Sequence, residues 1–448
     1  MLIEVHMLQN HAPSNLNRDD TGSPKEAVFG GYKRARISSQ CLKRSIRKSA
    51  TFRDLFRSEP INRISPKILE AMQKHGIEEN LAYQLAVRTR AMPEIVKDIL
   101  LAKEIDKSLA YQAAAVAAKL GAKVKDQKQE TGDDGSEEQQ VTETPESSVE
   151  GTSDVQKKNK TKQTMFLTLR DLEIVADYLA DLIQKEKDTG LNRVVKRVSN
   201  TDKRMVMEKD LHSLGYRPIT IDLALFGRMV TSEAFVDVEA SSQFAHAIST
   251  HKIDHEFDYY TAVDDLERAA DDEAGGGADM IGDVEFNSAC YYKYFNVHVE
   301  GLVDNLTGKA FKRSVNCEDE KNARATAGEA IRALIETACR VTPSGKQNSF
   351  AAHQPPSLVW IEIRDKNLPV SYANAFCNPV NPKVRDGLET ESANARKQEC
   401  ETLTKMYGLE ARKRLLLAKN DDVKILEVSS SESLKTILDT VEAEVRHG

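Results

Sequence analysis

The order of strand-like and helix-like segments limits the fold of this chain more than any single motif does. Four segments have the pattern of strands: Leu2–Gln9, Ile219–Met229, 290–300 and 357–365. One helix signal starts after Ser38, and a second helix pattern, residues 317–339, lies between the last two strands. The order is therefore strand, helix, strand, strand, helix, strand. It predicts an α+β protein with a ferredoxin-like, or RNA-recognition-motif-like, core.

Two insertions interrupt this order. Residues 51–217 are mostly helical in pattern, with a helical run at 78–89 and one helix that opens near Pro93 and ends at Gly121. Within them, residues 122–163 are almost free of aliphatic and aromatic side chains. We expect disorder at 122–163, because such a stretch buries too little apolar area to offset its chain entropy. Residues 251–286 alternate polar and aromatic residues around Gly275-Gly276-Gly277, which predicts a long hairpin with a flexible tip. The remainder forms one discontinuous domain from residues 1–50, 218–250 and 287–448, with terminal helices around Leu388–Ala418 and Glu432–Arg446.

Composition excludes several classes of protein. With 40% hydrophobic and 30% charged residues, the chain is typical of a soluble globular protein. Its six cysteines include no C-x-x-C pair, which argues against a zinc site and against a disulfide framework. No apolar run approaches the roughly 20 residues that span a bilayer, and the first residues lack the pattern of a secretory signal. We therefore expect a cytoplasmic protein with reduced thiols, no membrane contact and no cofactor.

A basic run follows the Gly30-Gly31 turn, in a chain whose formal net charge is -7. Between Gly22 and Lys48 the only acid is Glu26, and the cations are Lys25, Lys33, Arg34, Arg36, Lys43, Arg44, Arg47 and Lys48. A helix that begins at Ser38-Ser39-Gln40 directs free N–H groups and its positive end toward an anion. Because Lys43 and Arg47 share one helix face, the pattern suits successive phosphates of a nucleic acid. A solvated basic helix with ordinary capping explains the same pattern.

Five blocks of sequence carry a resemblance to a known family. They are HMLQNHAPSNLNRDDTGSPKEAVFGGYKRARISSQCLKRSIRKS near the amino terminus, DLALFGRMVTS at 222–232, FAHAISTHKIDHEFDYYTAVDDL at 244–266, GKQNSFAAHQP at 345–355 and PVSYANAF at 369–376. In this order they resemble the CasC family, the repeated crRNA-binding backbone subunit of the type I-E CRISPR Cascade complex. The resemblance runs from the first residues to about Phe376.

The resemblance implies a hand-shaped subunit with a ferredoxin-like palm, helical fingers and a β-hairpin thumb. The fingers correspond to residues 51–217 and the thumb to residues 251–286. In the family, copies stack head to tail along the guide RNA, and each thumb pushes one nucleotide in six out of pairing. The expected partners are CRISPR guide RNA, further copies of the chain, the guide-end caps and the large and small subunits of Cascade, and target DNA through the guide. Phosphate contacts fix register without reading sequence, so one protein can hold any guide.

The resemblance also selects individual residues. The RNA-binding set comprises Lys25, Arg36, Ser38, Gln40, Lys43, Arg44, Arg47, Lys346 and Gln347. Met229, with Tyr260 and Ile281 in the thumb, resembles the apolar set that wedges against bases. The alternative for the two thumb residues is that they only pack the hairpin against its own palm.

Other interpretations of the sequence stay open at this point. Tyr292 and Tyr294 share a strand face, and either stack on bases, as in the RNA-recognition motif, or belong to the core. Residues of nuclease or metal type also occur: His246, His251, His255, Asp254, Asp258, Asp19-Asp20 and Asp264-Asp265. Some related backbone subunits of other CRISPR types cut RNA with a thumb or loop aspartate, so RNA cleavage is the alternative function. The subunits that the chain most resembles have no catalytic role, and we expect a non-catalytic protein without a metal.

Overall fold

We analysed a computed structural model of the chain. It describes residues 1–54, 70, 74–75, 87–89, 91–118, 120, 165–185, 207, 209–214, 219–230, 234–262, 280–311, 313–383, 387–420 and 423–448. The chain divides into two compact units, one formed by Met1–Arg57 with Ala240–Gly448 and the other by Ser58–Glu239. The predicted disordered stretch 122–163 and the hairpin tip lie outside the described residues.

Strands and helices alternate along the chain. The strands are β1 (Leu2–Ser14), β2 (Glu26–Phe29), β3 (Tyr32–Ile37), β4 (Val87–Thr89), β5 (Met165–Leu167), β6 (Ser242–Phe244), β7 (Ala247–Ser249), β8 (Glu256–Ala262), β9 (Met280–His298), β10 (Leu358–Arg364) and β11 (Lys413–Ala418). The helices are α1 (Ser39–Lys48), α2 (Ala50–Asp54), α3 (Met92–Ala102), α4 (Lys107–Ala117), α5 (Leu169–Lys185), α6 (Ile221–Phe226), α7 (Val299–Thr307), α8 (Cys317–Arg340), α9 (Gln347–Phe350), α10 (Leu388–Tyr407) and α11 (Leu434–His447). The chain is thus of mixed α+β class, as predicted.

The first unit is built on one antiparallel sheet with the strand order β11-β10-β1-β9-β7-β3-β2. At its centre β1 pairs with β10 on one side and with β9 on the other, so that Val5 lies opposite both Ile361 and Phe295. Both faces of β1 are buried. The long β9 also pairs with β6, β7 and β8 at successive positions along its length.

Helices cover both faces of this sheet. On one face α1 packs Leu42 and Ile46 against Met7 and Phe295. On the other face α10 covers a core that includes Tyr292, Tyr294, Trp360 and Tyr372. Tyr292 and Tyr294 are therefore core residues, and the interpretation that they stack on bases is wrong.

Three elements differ from the sequence prediction. The segment from Ile219, predicted as a strand, contains the helix α6, and the strands in the second position of the order are β6 and β7. The apolar run of α6 is too short for periodicity to separate a helix from a buried strand. The predicted helix Leu388–Ala418 ends with α10, where Gly408 takes a left-handed φ of 59°, and its last part is the strand β11. The predicted helix that starts near Pro93 is two helices, because Asp106 caps α4.

The second unit has its own core. Its two-stranded sheet pairs β4 with β5, so Val87–Thr89, predicted as the end of a helical run, is a strand. Apolar side chains of α3, α4 and α5 pack together with Phe235. The unit extends to Glu239. Residues 218–239, which the sequence pattern assigned to the discontinuous domain, therefore belong to this second unit. No helix in the described part of the chain is long and apolar enough to cross a membrane.

Candidate nucleic-acid interface

Helix α1 presents a row of polar and basic side chains next to a groove. Ser38 is the N-cap, as predicted, and its hydroxyl accepts a hydrogen bond from the N–H of Cys41 at 3.3 Å. The predicted binding residues Gln40, Lys43, Arg44 and Arg47 follow the i, i+3, i+4, i+7 spacing of one helix face. The first turn of α1 contains no acidic residue, so the positive end of the helix dipole is not offset there.

Three cations of α1, Lys43, Arg44 and Lys48, are available to a ligand. Arg44 and Lys48 are exposed, and Lys43 is half-buried. In the part of the chain that the structure describes, no carboxylate pairs with any of these three side chains. Surface cations commonly find an acidic neighbour, so an unneutralised row concentrates positive potential.

The groove beside α1 has a volume of about 740 Å³. Arg44 and Lys48 line one side, the loop from Leu16 to Gly22 lines another, and the segment Val341–Gly345 closes it. Asp19 and Asp20 also line the groove. Asp19 is occupied within its own loop: Oδ1 accepts bonds from the N–H and hydroxyl of Thr21 and from the N–H of Ser23.

Asn17 holds two predicted binding residues, Lys25 and Ser38, close together. Its backbone oxygen accepts from the N–H of Lys25 at 2.8 Å. Its side-chain Oδ1 accepts from the N–H of Ser38 at 2.8 Å. Arg36 in turn donates its N–H to the carbonyl of Lys25 at 2.8 Å. Lys25, Arg36 and the start of α1 are therefore held together around one asparagine.

Arg36 and Lys25 both lie near His246. Arg36 donates from Nε to the carbonyl of Glu26 at 3.1 Å and from Nη1 toward Nδ1 of His246 at 3.2 Å. Burial, followed by the charges of Arg36 and Lys25, lowers the pKa of His246. The part of this shift that comes from Arg36 and Lys25 reflects two positive charges near His246.

Two cations of the basic run do not serve this surface. Arg34 is fully buried, and its guanidinium donates to the carbonyls of Ser249, Phe376 and Cys377. Lys33 is exposed but pairs with Glu26 at 3.3 Å. Arg34 and Lys33 of β3 are thus committed to contacts within the chain, whereas Lys43, Arg44 and Lys48 of α1 have no acidic partner among the described residues.

The loop that carries Lys346 lies against the same amino-terminal segment. A Cβ on Gly345 would approach the carbonyl oxygens of Asn15 and Leu16 to 2.5 Å, so only glycine allows this contact. Lys346 follows with a left-handed φ of 48° and begins α9. Gln347 donates from Nε2 to the carbonyl of Pro343 at 3.1 Å, which commits part of the amide to the loop itself.

The hairpin predicted at 251–286 has its two arms in β8 and the first half of β9. Its register places Tyr260 opposite Gly282 and Thr261 opposite Ile281. Directly opposed residues share a face and neighbours alternate, so Tyr260 and Ile281 lie on opposite faces of the ribbon. The two side chains therefore cannot enter one gap in the base stack from the same face of the hairpin, and their contact with bases stays a prediction.

Each face of the hairpin has a distinct set of side chains. The Tyr260 ring lies over Gly282, where a Cβ would be 2.5 Å from the ring. At the base of this face Phe286 contacts Phe350 of α9, with ring centroids 5.5 Å apart. The other face carries Tyr259 and Ile281, which are 75% and 71% exposed.

Met229 belongs to the second unit and is 89% exposed. It follows α6, which ends at Gly227 with a positive φ of 77°. An isolated methionine with this exposure contributes little to its own unit's core. It is available for an apolar contact with a ligand or partner.

Comparison with known proteins places the chain in a family. A model of the Cas family described as CT1975-like protein matches residues 3–443. The chain belongs to this CT1975-like family of Cas proteins. The resemblance to CasC proteins that the sequence blocks indicated is confirmed at this level.

Solved structures resemble this CT1975-like protein in fold. One is a chain of a CRISPR RNA-guided surveillance complex described as pre-nicking, with a TM-score of 0.65, 22% identity and coverage of 99% of this chain and 100% of that chain. A second CRISPR RNA-guided surveillance complex contains a chain with a TM-score of 0.52, 20% identity and 99% coverage of both chains. No curated protein has significant similarity to the sequence.

Several of the histidines and carboxylates considered for catalysis in this Cas protein have other partners. His255 bridges Glu26 and Glu285 through its two ring nitrogens. Nδ1 of His251 lies 2.8 Å from the carbonyl oxygen of Lys252. Among the described residues, no three His, Cys, Asp or Glu side chains are arranged to hold a metal ion. Asp264-Asp265 lies outside them.

Proposed function

We propose that the chain is a non-catalytic backbone subunit of a type I-E-like Cascade surveillance complex. Multiple copies polymerise along the CRISPR guide RNA in the cytoplasm, hold its phosphates and kink it about every sixth nucleotide. The remaining nucleotides then pair with target DNA in antiviral defence. The other partners in this proposal are the guide-end caps and the large and small subunits.

One observation carries the proposal: two α1 cations without an acidic partner among the described residues, Arg44 and Lys48, line a groove that is closed by the segment leading to Lys346. Lys43, Arg44 and Lys48 have no acidic partner among the described residues, and Arg44 and Lys48 line the groove. Cationic side chains beside a helix start suit successive phosphates. None of these groups reads a base edge, so the surface suits a guide of any sequence.

The topology supports a ferredoxin-like palm. The strands β1, β6 with β7, β9 and β10 occur in the chain order strand, helix, strand, strand, helix, strand when α1 and α8 are included. In the sheet β1 lies between β10 and β9. We assign residues 58–239 to the fingers and the β8–β9 hairpin to the thumb.

The apolar contacts to bases come from Met229 and from one face of the thumb. Tyr259 shares a face with Ile281 and is the more exposed of the two adjacent tyrosines. We therefore replace Tyr260 by Tyr259 in the proposed wedge. An exposed aromatic ring on a rigid ribbon suits stacking on a displaced base.

Sequencing of the RNA that copurifies with the complex from its cells tests the proposal. Repeat-derived ends around varied spacers support it, and random cellular RNA or no RNA contradicts it. Incubation of the purified protein with labelled RNA and a divalent metal tests the enzymatic alternative. Specific cleavage that is lost on Asp258→Ala or Asp19→Ala would establish a nuclease instead.

A further inference from the structure

The backbone on both sides of Met229 is fixed. Arg228 and Val238 exchange two backbone hydrogen bonds, with N···O distances of 2.9 and 2.8 Å. The N–H of Val230 donates to Oδ1 of Asp237 at 2.8 Å. Met229 has the most exposed large apolar side chain among the described residues. Hydrogen bonds thus hold the backbone on both sides of it in place.

The side chain of Arg228 points the other way, into the second unit. Its Nη1 donates to Oδ2 of Asp171 at 2.7 Å and to the carbonyl of Phe166 at 3.2 Å. Its Nε and Nη2 both donate to the carbonyl of Val236, at 3.0 and 2.8 Å. Both partners of the Arg228–Asp171 ion pair are 1% exposed. One guanidinium therefore joins β5, the start of α5 and the segment around Val236 that returns after Met229.

Asp171 is itself locked in place. Its Oδ2 accepts from the N–H and from the hydroxyl of Thr168, each at 2.9 Å. The Thr168 hydroxyl accepts from the N–H of Asp171 at 3.0 Å. This reciprocal cap fixes the carboxylate at the start of α5, so Arg228 is anchored to a rigid helix end.

A buried ion pair is a poor source of net stability, because desolvation of two charges offsets their attraction. The planar guanidinium of arginine has five N–H donors, so one side chain can fix the positions of several carbonyl groups at once. We infer that Arg228 is a positioning residue, held by Asp171, that fixes Met229 in the orientation in which it contacts guide bases. This inference rests on the proposed function, because it assumes that Met229 touches the guide.

The test uses the reconstituted complex and a neutral replacement of the pair. Arg228→Met with Asp171→Asn removes both charges together and leaves no buried charge unpaired. The Asp171→Asn change keeps a side-chain oxygen for Thr168, so the cap of α5 is retained. Met229→Ala removes the apolar contact itself, and Leu214→Ala, at another exposed apolar position of the same unit, is the matched control.

Chemical probing of the guide gives the readout, and a purely structural role of Arg228 does not alter it. In the unmodified complex, reactivity peaks at every sixth nucleotide. Met229→Ala lowers the contrast between peaks and troughs about fivefold, the size of one well-placed apolar contact. The Arg228→Met/Asp171→Asn variant lowers it to a similar extent while its guide loading and melting temperature match those of Leu214→Ala. Adding Met229→Ala to that variant produces no further loss, because both changes remove the same contact.

A sharp pattern in the folded double variant, beside a blurred one for Met229→Ala, overturns the inference and leaves the proposed function intact. An unchanged pattern for Met229→Ala overturns it too, since Met229 then makes no contact to be positioned. If no guide RNA copurifies with the unmodified complex, the proposed function itself is contradicted. If the double variant does not fold, Arg228→Lys replaces it in the test. This change keeps the charge pair but loses the two bonds to Val236. Its reactivity pattern is then compared with that of Met229→Ala in the same way.

Discussion

Single buried residues determine the stability of the sheet. Arg364 on β10 bonds Glu4 at 2.7 Å and Glu362 at 2.9 Å, and both carboxylates are fully buried. Arg364→Met leaves Glu4 buried without its cation, whereas Glu362 keeps Arg414, so we expect the free energy of unfolding to fall by about 3–5 kcal/mol in denaturant titrations. Arg412→Met, which breaks an exposed pair with Asp365, should change it by less than about 1 kcal/mol. Equal losses would contradict this assignment.

His11 should make the protein sensitive to acid. Burial, followed by the charge of Lys293, lowers the pKa of His11 to about 4. Between pH 6.5, the ordinary histidine value, and pH 4 the unfolded chain binds a proton that the folded chain refuses, so stability falls as the pH falls. The expected loss is about 3 kcal/mol over this range.

His11→Asn keeps a donor for the carbonyl of Ala352 and removes the titration. Denaturant titrations at pH 7.5 and at pH 4.5 measure the difference, and the variant should show a clearly smaller decrease than the unmodified protein. His6, whose pKa is also lowered by burial, contributes in the same direction. An identical pH dependence in both proteins would show that His11 is not the group responsible.

At this scale the sequence predicted some roles and missed others. The cap by Ser38 follows from local pattern alone, because its partner, Cys41, is only three residues away. The burial of Arg34 does not, since the carbonyls of Phe376 and Cys377 that cover it are more than 300 residues distant. Asn17 was missed for the same reason: its signal is a pair of bonds to residues that the fold brings near.

Among the elements, the thumb offers the sharpest test. Tyr260 covers Gly282, whereas Tyr259 is exposed on the other face. Tyr259→Ala should therefore leave the melting temperature unchanged and blur the six-nucleotide pattern, by removing a stacking contact worth about 1–3 kcal/mol. Tyr260→Ala should lower the melting temperature with a smaller effect on the pattern. If Tyr260→Ala blurs the pattern and Tyr259→Ala instead lowers the melting temperature, Tyr260 is the wedge residue.

The elements also show where sequence reasoning stops. The order of the central strands and the two helices could be predicted, since long periodic segments such as α8 are unambiguous. The helix α6 could not, because a run of six residues, five of them apolar, fits a helix and a buried strand equally well. Strand alternation alone could not reveal which faces of the hairpin Tyr260 and Ile281 occupy, since this depends on the register across an intervening tip.

For the whole molecule, the central claim is that α1 holds guide RNA through phosphates. The most direct measurement is the affinity of the purified protein for single-stranded RNA as a function of salt. Log affinity should fall with log salt at a slope of roughly -0.7 per phosphate neutralised. Lys43→Glu with Arg47→Glu should abolish guide loading, and any residual binding should have a slope flatter by about 1.4.

Lys405→Glu with Lys435→Glu, at exposed positions on α10 and α11, changes the net charge equally and serves as the control. The account predicts that this control binds RNA with the unmodified slope, at every spacer sequence tried. Binding that is independent of salt, or an equal loss of affinity in the control and the α1 variant, would contradict it.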